Sequence, residues 1–521
     1  MKQVIKHTLL SGLTIASVLG LSGCTDKFAE LNTNKTKLTT LGSTEYPYLF
    51  SKAQSAASYS FGNYQVAQNL FADLYAQYYA TTATYFPSDR YSIRVDWLAT
   101  HWNQPYTQVV PQLKTLLDQT DKSSAENALA SIMWVYTFHR VTDYYGPIPY
   151  FKAGEPALSV PYDAQDKIYD DFFKRLDAAT TLLKTKTSQK PYGTFDLIYA
   201  GDVNKWIKFA NTLRLRLALR ISKVDPARAK TEAEAAVAGG VMTDTGDDAL
   251  MVKSVNGNDY NGLAGISVWN EFRMSASMES VLKGYEDPRI SVYFQPATGT
   301  NTYEGLRNGL TAAQLNQAPN SNDNNSNVGT RWVTGGGSSW TSQYTTSQDI
   351  MHSTEAYFLR AEGAMNGWNM GGATPQSLYE SGIAASMKQW GVTDAAKIAA
   401  YTTSTKTPVA PGDALNSPAL ASIPVKWSAD AATQREQIGT QKWLALFPDG
   451  FEAWAEYRRA RYPKLYPVAN SENADVPVGT VLRRIPFLLL EQQTNAAAVT
   501  AAVPLLNGPD KATTPLWWDK N

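Results

Sequence analysis

Apolar positions recur at spacings of three and four over most of the first half of the chain, and that period predicts helices. The spacing predicts helices over 43–60 and 63–80, separated at Gly62-Asn63, and over 96–120 and 124–146, separated at Asp121-Lys122-Ser123. In the fourth, Ala128, Ile132, Val135 and Phe138/His139 form a stripe that should face a core, and Gly146-Pro147-Ile148-Pro149 stops it. Helices are expected next over 162–184, 202–222 (with Asp202 as its cap) and 225–238, stopping at Gly239-Gly240. The pattern breaks near residue 241. From there to about 350 the chain is rich in Gly, Asn, Ser and Thr, and a single helix over 270–285 interrupts it. Helical spacing returns at 353–368, 374–391, 394–403, 429–447 and 449–460, before an irregular end. Successive helix pairs point to a mainly α, tetratricopeptide-like helical-repeat superhelix carrying a large irregular, loop-rich subregion.

The first residues follow a different logic. Lys2 and Lys6 precede an apolar stretch from Leu9 to Leu21, then Leu21-Ser22-Gly23-Cys24. A charged start, a short apolar run and small residues before a boundary are the pattern of a signal peptide. Cys24 is the only cysteine in the chain, so it forms no intramolecular disulfide, and its setting is that of a bacterial lipobox, where acylation makes it the lipid attachment point. The reading is therefore a lipoprotein signal peptide over 1–23, a polar tether over 24–42 and one domain over 43–521. Within that domain, 43–240 and 353–460 supply the helical scaffold, and 241–352 and 461–521 the irregular part. After Cys24 no apolar stretch is long enough to span a bilayer.

Charge narrows the function. Forty-seven Lys+Arg match 47 Asp+Glu, which argues against nucleic acid as a partner. The four histidines are scattered and form no His-Glu-x-x-His pair; there is no phosphate-binding P-loop and no Gly-x-Ser-x-Gly elbow. No cofactor or metal is expected. Asp170-Asp171 reads as a solvated pair, Asp247-Asp248 as a turn, His139 as a core residue, and Arg214, Arg216, Arg220, Arg458, Arg459 and Arg461 as solvated or salt-bridged helix faces. What remains is an aromatic content of 12%. Rings on the helices should pack, whereas rings in polar loops have no evident core to fill. Tyr85 and Phe86, Tyr260 and Trp269, and Trp332, Trp340 and Tyr344 stand in such loops, with Arg90 close by. Flat rings beside amides and guanidinium groups suit the apolar face and hydroxyl rim of a sugar, so these eight residues are the candidate ligand-binding set.

Several segments then carry a family resemblance: the lipobox followed by Asp26-Lys27-Phe28-Ala29-Glu30-Leu31-Asn32; Asp143-Tyr144-Tyr145-Gly146-Pro147-Ile148-Pro149-Tyr150; the run Trp206 to Arg216; Tyr285-Glu286-Asp287-Pro288-Arg289; Glu355 to Glu362; and Leu516-Trp517-Trp518-Asp519. In that order and over nearly the whole chain, they resemble the SusD/RagB family of nutrient-binding outer-membrane lipoproteins. The resemblance implies a non-catalytic protein, anchored at the outer membrane by its N-terminal lipid and facing the exterior. It also implies a SusC-type TonB-dependent transporter barrel as partner and oligosaccharide as cargo. Peptide cargo, or a purely structural scaffold, are the alternatives. Ligand residues vary across the family, so the candidate set rests on loop chemistry alone.

Overall fold

The computed structural model describes residues 42–334 and 342–520. Cys24, Trp340 and Gly335–Gly337 lie outside these residues. Helix α1 (Tyr46–Ala57) is followed by α2 (Phe61–Tyr64), which continues into a π-helical stretch, Gln65–Asp73. The helical spacing over 63–80 overruns here. Gln77 takes a left-handed conformation (φ 53°) and Tyr79–Thr81 forms a short strand, β1. Next come α3 (Val95–Gln104), a π-helical link (Pro105–Val109) and α4 (Val110–Gln119), so that what the spacing reads as one helix is interrupted at Pro105, which has no backbone N–H to donate.

Helix α5 (Ala125–Tyr145) starts where the Ser124 hydroxyl accepts from Asn127 N (3.1 Å) and ends at Gly146 (φ 86°). All of its residues except Glu126 and Ser131 are buried. The expected apolar stripe is thus only part of its packing face: α5 is covered all round, as a helix inside a multi-layer array must be. Helices α6 (Gln165–Leu183), α7 (Val203–Arg220) and α8 (Pro226–Gly239) follow, each packed on its predecessor. Asp202 and Asp225 cap the last two, and Gly240 (φ 92°) terminates α8.

After residue 241 the chain makes two small sheets. Strand β2 (Ala249–Met251) pairs antiparallel with β4 (Gln348–Met351), and β1 pairs antiparallel with β3 (Phe272–Met274). The helix expected over 270–285 is shorter, α9 (Ala276–Gly284), because its first residues serve β3. The later helices are α10 (Ser353–Met365), α11 (Pro375–Gln389), α12 (Ala395–Thr402), α13 (Ala431–Leu446) and α14 (Gly450–Ala460). Two short helices, Leu489–Thr494 and Ala496–Ala502, interrupt the irregular end. α10 packs on α7, α11 and α13, and α14 packs on the π-helical stretch after α2. The result is a mainly helical, tetratricopeptide-like array.

Of the six arginines read as solvated or salt-bridged, Arg214, Arg216, Arg220, Arg458 and Arg459 are buried, and Arg461 is half-buried beside Asp519. Arg216 bridges α7 to α10 through Glu355 (2.8 and 2.5 Å), and Arg220 reaches Glu452 on α14 (2.5 Å) and Asp143 on α5 (3.3 Å). Lys442 on α13 contacts Glu456 (3.1 Å), and Arg459 clasps Glu362 (2.7 and 2.6 Å). All these side chains are buried apart from Glu362, which is half-buried. Arg214 is also buried, between Glu232 and Asp177. Each charge meets an opposite charge, which makes burial tolerable. Trp518 extends the network by donating to Asp143 Oδ1 (2.8 Å), while Asp519 accepts hydrogen bonds from Nε and Nη2 of Arg483 (2.7 Å each).

Candidate functional site

The site is built where the Tyr85 loop, the start of α2 and the segment before β3 converge. Asn261 caps a short helix, Gly262–Ser267, by accepting from Ala264 N (3.0 Å). Gly262 and Gly265 let that helix lie flat on α2. A Cβ at Gly262 would stand 2.4 Å from the Tyr64 ring, and one at Gly265 2.9 Å from Phe61. The helix delivers Trp269 to the surface, and Asn270 (φ 58°) turns the chain into β3. The Trp269 indole stands edge-on to Phe61 (5.5 Å between centroids) and remains 38% exposed. Tyr260 also meets Phe61 edge-on (5.2 Å) and is itself stacked on buried Tyr344 (5.0 Å).

The β1–β3 pairing brings the Tyr85 loop to the same place. Beyond the paired strands, Thr82 N donates to Glu271 O (2.9 Å) and Thr82 Oγ1 to Asn270 O (3.0 Å). Tyr85, 64% exposed, donates its hydroxyl to Glu271, whose other carboxylate oxygen accepts from Gln65 (2.6 Å). The Glu271 carboxylate raises the Tyr85 phenol to about 12, so it stays a neutral donor. Phe86 is buried beneath Tyr85, edge-on to Trp97 (5.4 Å), and the Arg94 guanidinium lies 4.6 Å over that indole.

Beside Phe61 opens a cleft of about 580 Å³, lined by α1, α3, the start of α2 and residues 257–259. Its walls are polar. Asn63, Gln108, Asn258 and Lys52 are exposed in it. Asp259 is held by Ser55 and Ser60 (2.7 Å each) and by Lys253 (3.0 Å), and Gln104 accepts from Asn63 (2.8 Å).

The structure therefore brings together Tyr85, Phe86, Tyr260, Trp269 and Tyr344, with Phe86 and Tyr344 as buried supports. Trp332 needs correction. It is fully buried against Trp390 (5.9 Å) and Phe447 (5.7 Å), because the loop that carries it folds back onto the helices, so its ring is core and no ligand surface. Arg90 is likewise interior: it pairs with Glu472 and donates to Leu310 O (3.0 Å). Sequence reasoning missed Phe61, Trp97 and the amides of the cleft. Phe61-Gly62-Asn63 at a helix break was the available signal, since an aromatic there has no helical stripe to join.

The candidate acid–base groups are occupied structurally. Asp170 pairs with Arg228, Asp171 with Arg175, Asp247 with Lys208 (2.7 Å) and Asp248 with His352 (3.0 Å). His139 is a core residue; burial, then Arg216, pushes it well below the ordinary histidine value. Among the described residues no cluster of His, Cys, Asp and Glu could hold a metal ion, and no helix is long and apolar enough to cross a membrane.

Fold and site together define a helical-repeat binding protein with an aromatic surface set beside a polar cleft. The family model for SusD-like proteins, SusD and RagB outer membrane lipoproteins, matches residues 29–519, and the chain belongs to that family. It is thus an outer-membrane lipoprotein of a family of non-catalytic binding proteins. Among solved structures it is similar to a chitin-binding SusD homologue from Flavobacterium johnsoniae (36% identity, TM-score 0.84, covering 92% of this chain and 99% of that one). SusD-like proteins from Bacteroides thetaiotaomicron (33%, TM-score 0.82, 91% and 99%) and Bacteroides vulgatus (31%, TM-score 0.82, 92% and 98%) are also similar. No curated protein matches the chain.

Proposed function

We propose that this lipoprotein, anchored through Cys24 and facing the cell exterior, captures an uncharged oligosaccharide on Trp269, Phe61, Tyr260 and Tyr85 and passes it to a SusC-type TonB-dependent barrel. The observation that carries the reading is the half-exposed Trp269. Its indole stands edge-on to Phe61, which lines a cleft whose exposed groups are mainly amides. A pyranose can stack its apolar face on the indole while its hydroxyls meet Asn63, Gln108 and Asn258. The 36% identity to a chitin-binding homologue makes chito-oligosaccharides the first ligands to try. In calorimetry with chitohexaose, Trp269→Ala should weaken binding about tenfold or more, a loss of ~1.4 kcal/mol or greater. Unchanged affinity in both Trp269→Ala and Tyr85→Ala would remove the site. Binding of a peptide library with no response to any glycan would replace the cargo.

A further inference from the structure

A second cavity, sharing no residue with the cleft, lies between α14, the end of the π-helical region and the C-terminal turn at 479–482. Its space is about 250 Å³, below the ~300–1,000 Å³ of pockets for drug-sized ligands, so it admits one small ring and not an oligomer. Tyr75, Tyr91, Tyr457 and Trp454 supply most of its aromatic wall, and none of its described lining residues is charged. Tyr75 and Tyr91 meet edge-on (5.7 Å), and Tyr75 tilts against Trp454 (5.2 Å). Tyr75 and Trp454 are buried, so the rings that reach the cavity are Tyr91 and Tyr457, both half-buried. Burial raises the phenols of Tyr75, Tyr91 and Tyr457 above their ordinary value, so all three are neutral donors and acceptors.

From this geometry we infer a second binding site, for a single uncharged sugar ring, with the half-buried Tyr91 and Tyr457 rings against its apolar faces and their phenol hydroxyls on its rim. An anion or cation would find no countercharge in the lining. The turn formed where Thr480 N donates to Pro477 O (2.9 Å), with Gly479 in a left-handed conformation (φ 85°), makes the mouth, and Thr480 is exposed there.

The site stands independently of the Trp269 surface, and the test separates them. Glucose and N-acetylglucosamine are titrated into the full-length protein and followed by saturation-transfer NMR. Saturable millimolar binding is expected. It should survive Trp269→Ala, and it should weaken about fivefold or more in Thr480→Trp, which fills the mouth, and measurably in Tyr457→Phe. Thermal melting checks that the variants fold; should Thr480→Trp fail, Tyr457→Phe carries the comparison. No saturable binding up to about 100 mM overturns the inference and leaves a water-filled cavity. So does binding that Trp269→Ala abolishes while Thr480→Trp and Tyr457→Phe retain it, an outcome that leaves the oligosaccharide proposal intact.

Discussion

The helical scaffold and the 256–344 region use opposite residue types against expectation. On the scaffold, charged side chains are inside: Arg216, Arg220, Glu355, Glu452 and Glu456 are all buried and paired across three helices. In the loop region, aromatic side chains divide. Trp332 and Tyr344 are buried, whereas Trp269 is left half-exposed and Tyr85, from the adjoining loop, more so. A residue type therefore says little about burial until it is known what the segment packs against. An arginine on a helix is interior when neighbouring helices carry carboxylates at the same level, and a tryptophan in a polar loop is core when the loop folds back.

The largest effects should come from the scaffold. Arg220→Met would leave Asp143, Glu452 and Glu456 without a shared cation, and breaking a buried pair in this way costs about 3–5 kcal/mol. Urea unfolding should show that loss, and a change below ~1 kcal/mol would mean that the network is solvated.

Two tryptophans sharpen the contrast further. Trp332→Ala should destabilise by about 3–5 kcal/mol through the cavity it leaves beside Trp390 and Phe447, yet bind ligand normally once folded. Trp269→Ala should do the reverse, costing under ~1 kcal/mol of stability while losing the ligand. Equal stability losses in the two variants would erase the distinction between core ring and surface ring.

A smaller effect is expected at the β2–β4 sheet, where the loop region is tied to the scaffold. Burial alone would lower His352, but Asp248 and Asp349, each 3.0 Å from a ring nitrogen, outweigh it and hold the imidazole up at about 9. A raised folded value means that the imidazolium is favoured by folding. Its contribution is complete below the unfolded value of about 6.5 and disappears as pH rises through about 9. Wild-type stability should therefore fall between pH 7 and 9 more steeply than that of His352→Gln. Parallel curves would show that the imidazole is neutral.

Much of this fold was legible from spacing. α5, α6, α7, α8, α11 and α14 begin and end within a few residues of the periodic segments, because Ser124, Asp202 and Gly240 act locally as caps and stops. The strands were not legible. Tyr79–Thr81 and Phe272–Met274 are three residues each and exist only by pairing with one another across nearly 200 positions, which no local period reports. The site was half legible for the same reason. Loop aromatics flagged Tyr85, Tyr260 and Trp269, but Phe61 joins them through glycines 262 and 265, and the burial of Trp332 depends on Phe447, more than a hundred residues away.

The smallest effect should be the removal of one oxygen at the aromatic surface. Tyr85→Phe deletes the hydrogen bond to Glu271 but keeps the ring. Because the side chain is 64% exposed, stability should change by no more than about 0.5 kcal/mol. If Tyr85 serves the ligand by stacking, affinity should change less than about threefold in Tyr85→Phe and several-fold more in Tyr85→Ala. If instead the hydroxyl orients Glu271 toward the cargo, the two substitutions should weaken binding alike. Calorimetry on the pair distinguishes them, and equal losses would transfer the recognition role from the ring to the Tyr85–Glu271 hydrogen bond, with Gln65 as its second anchor.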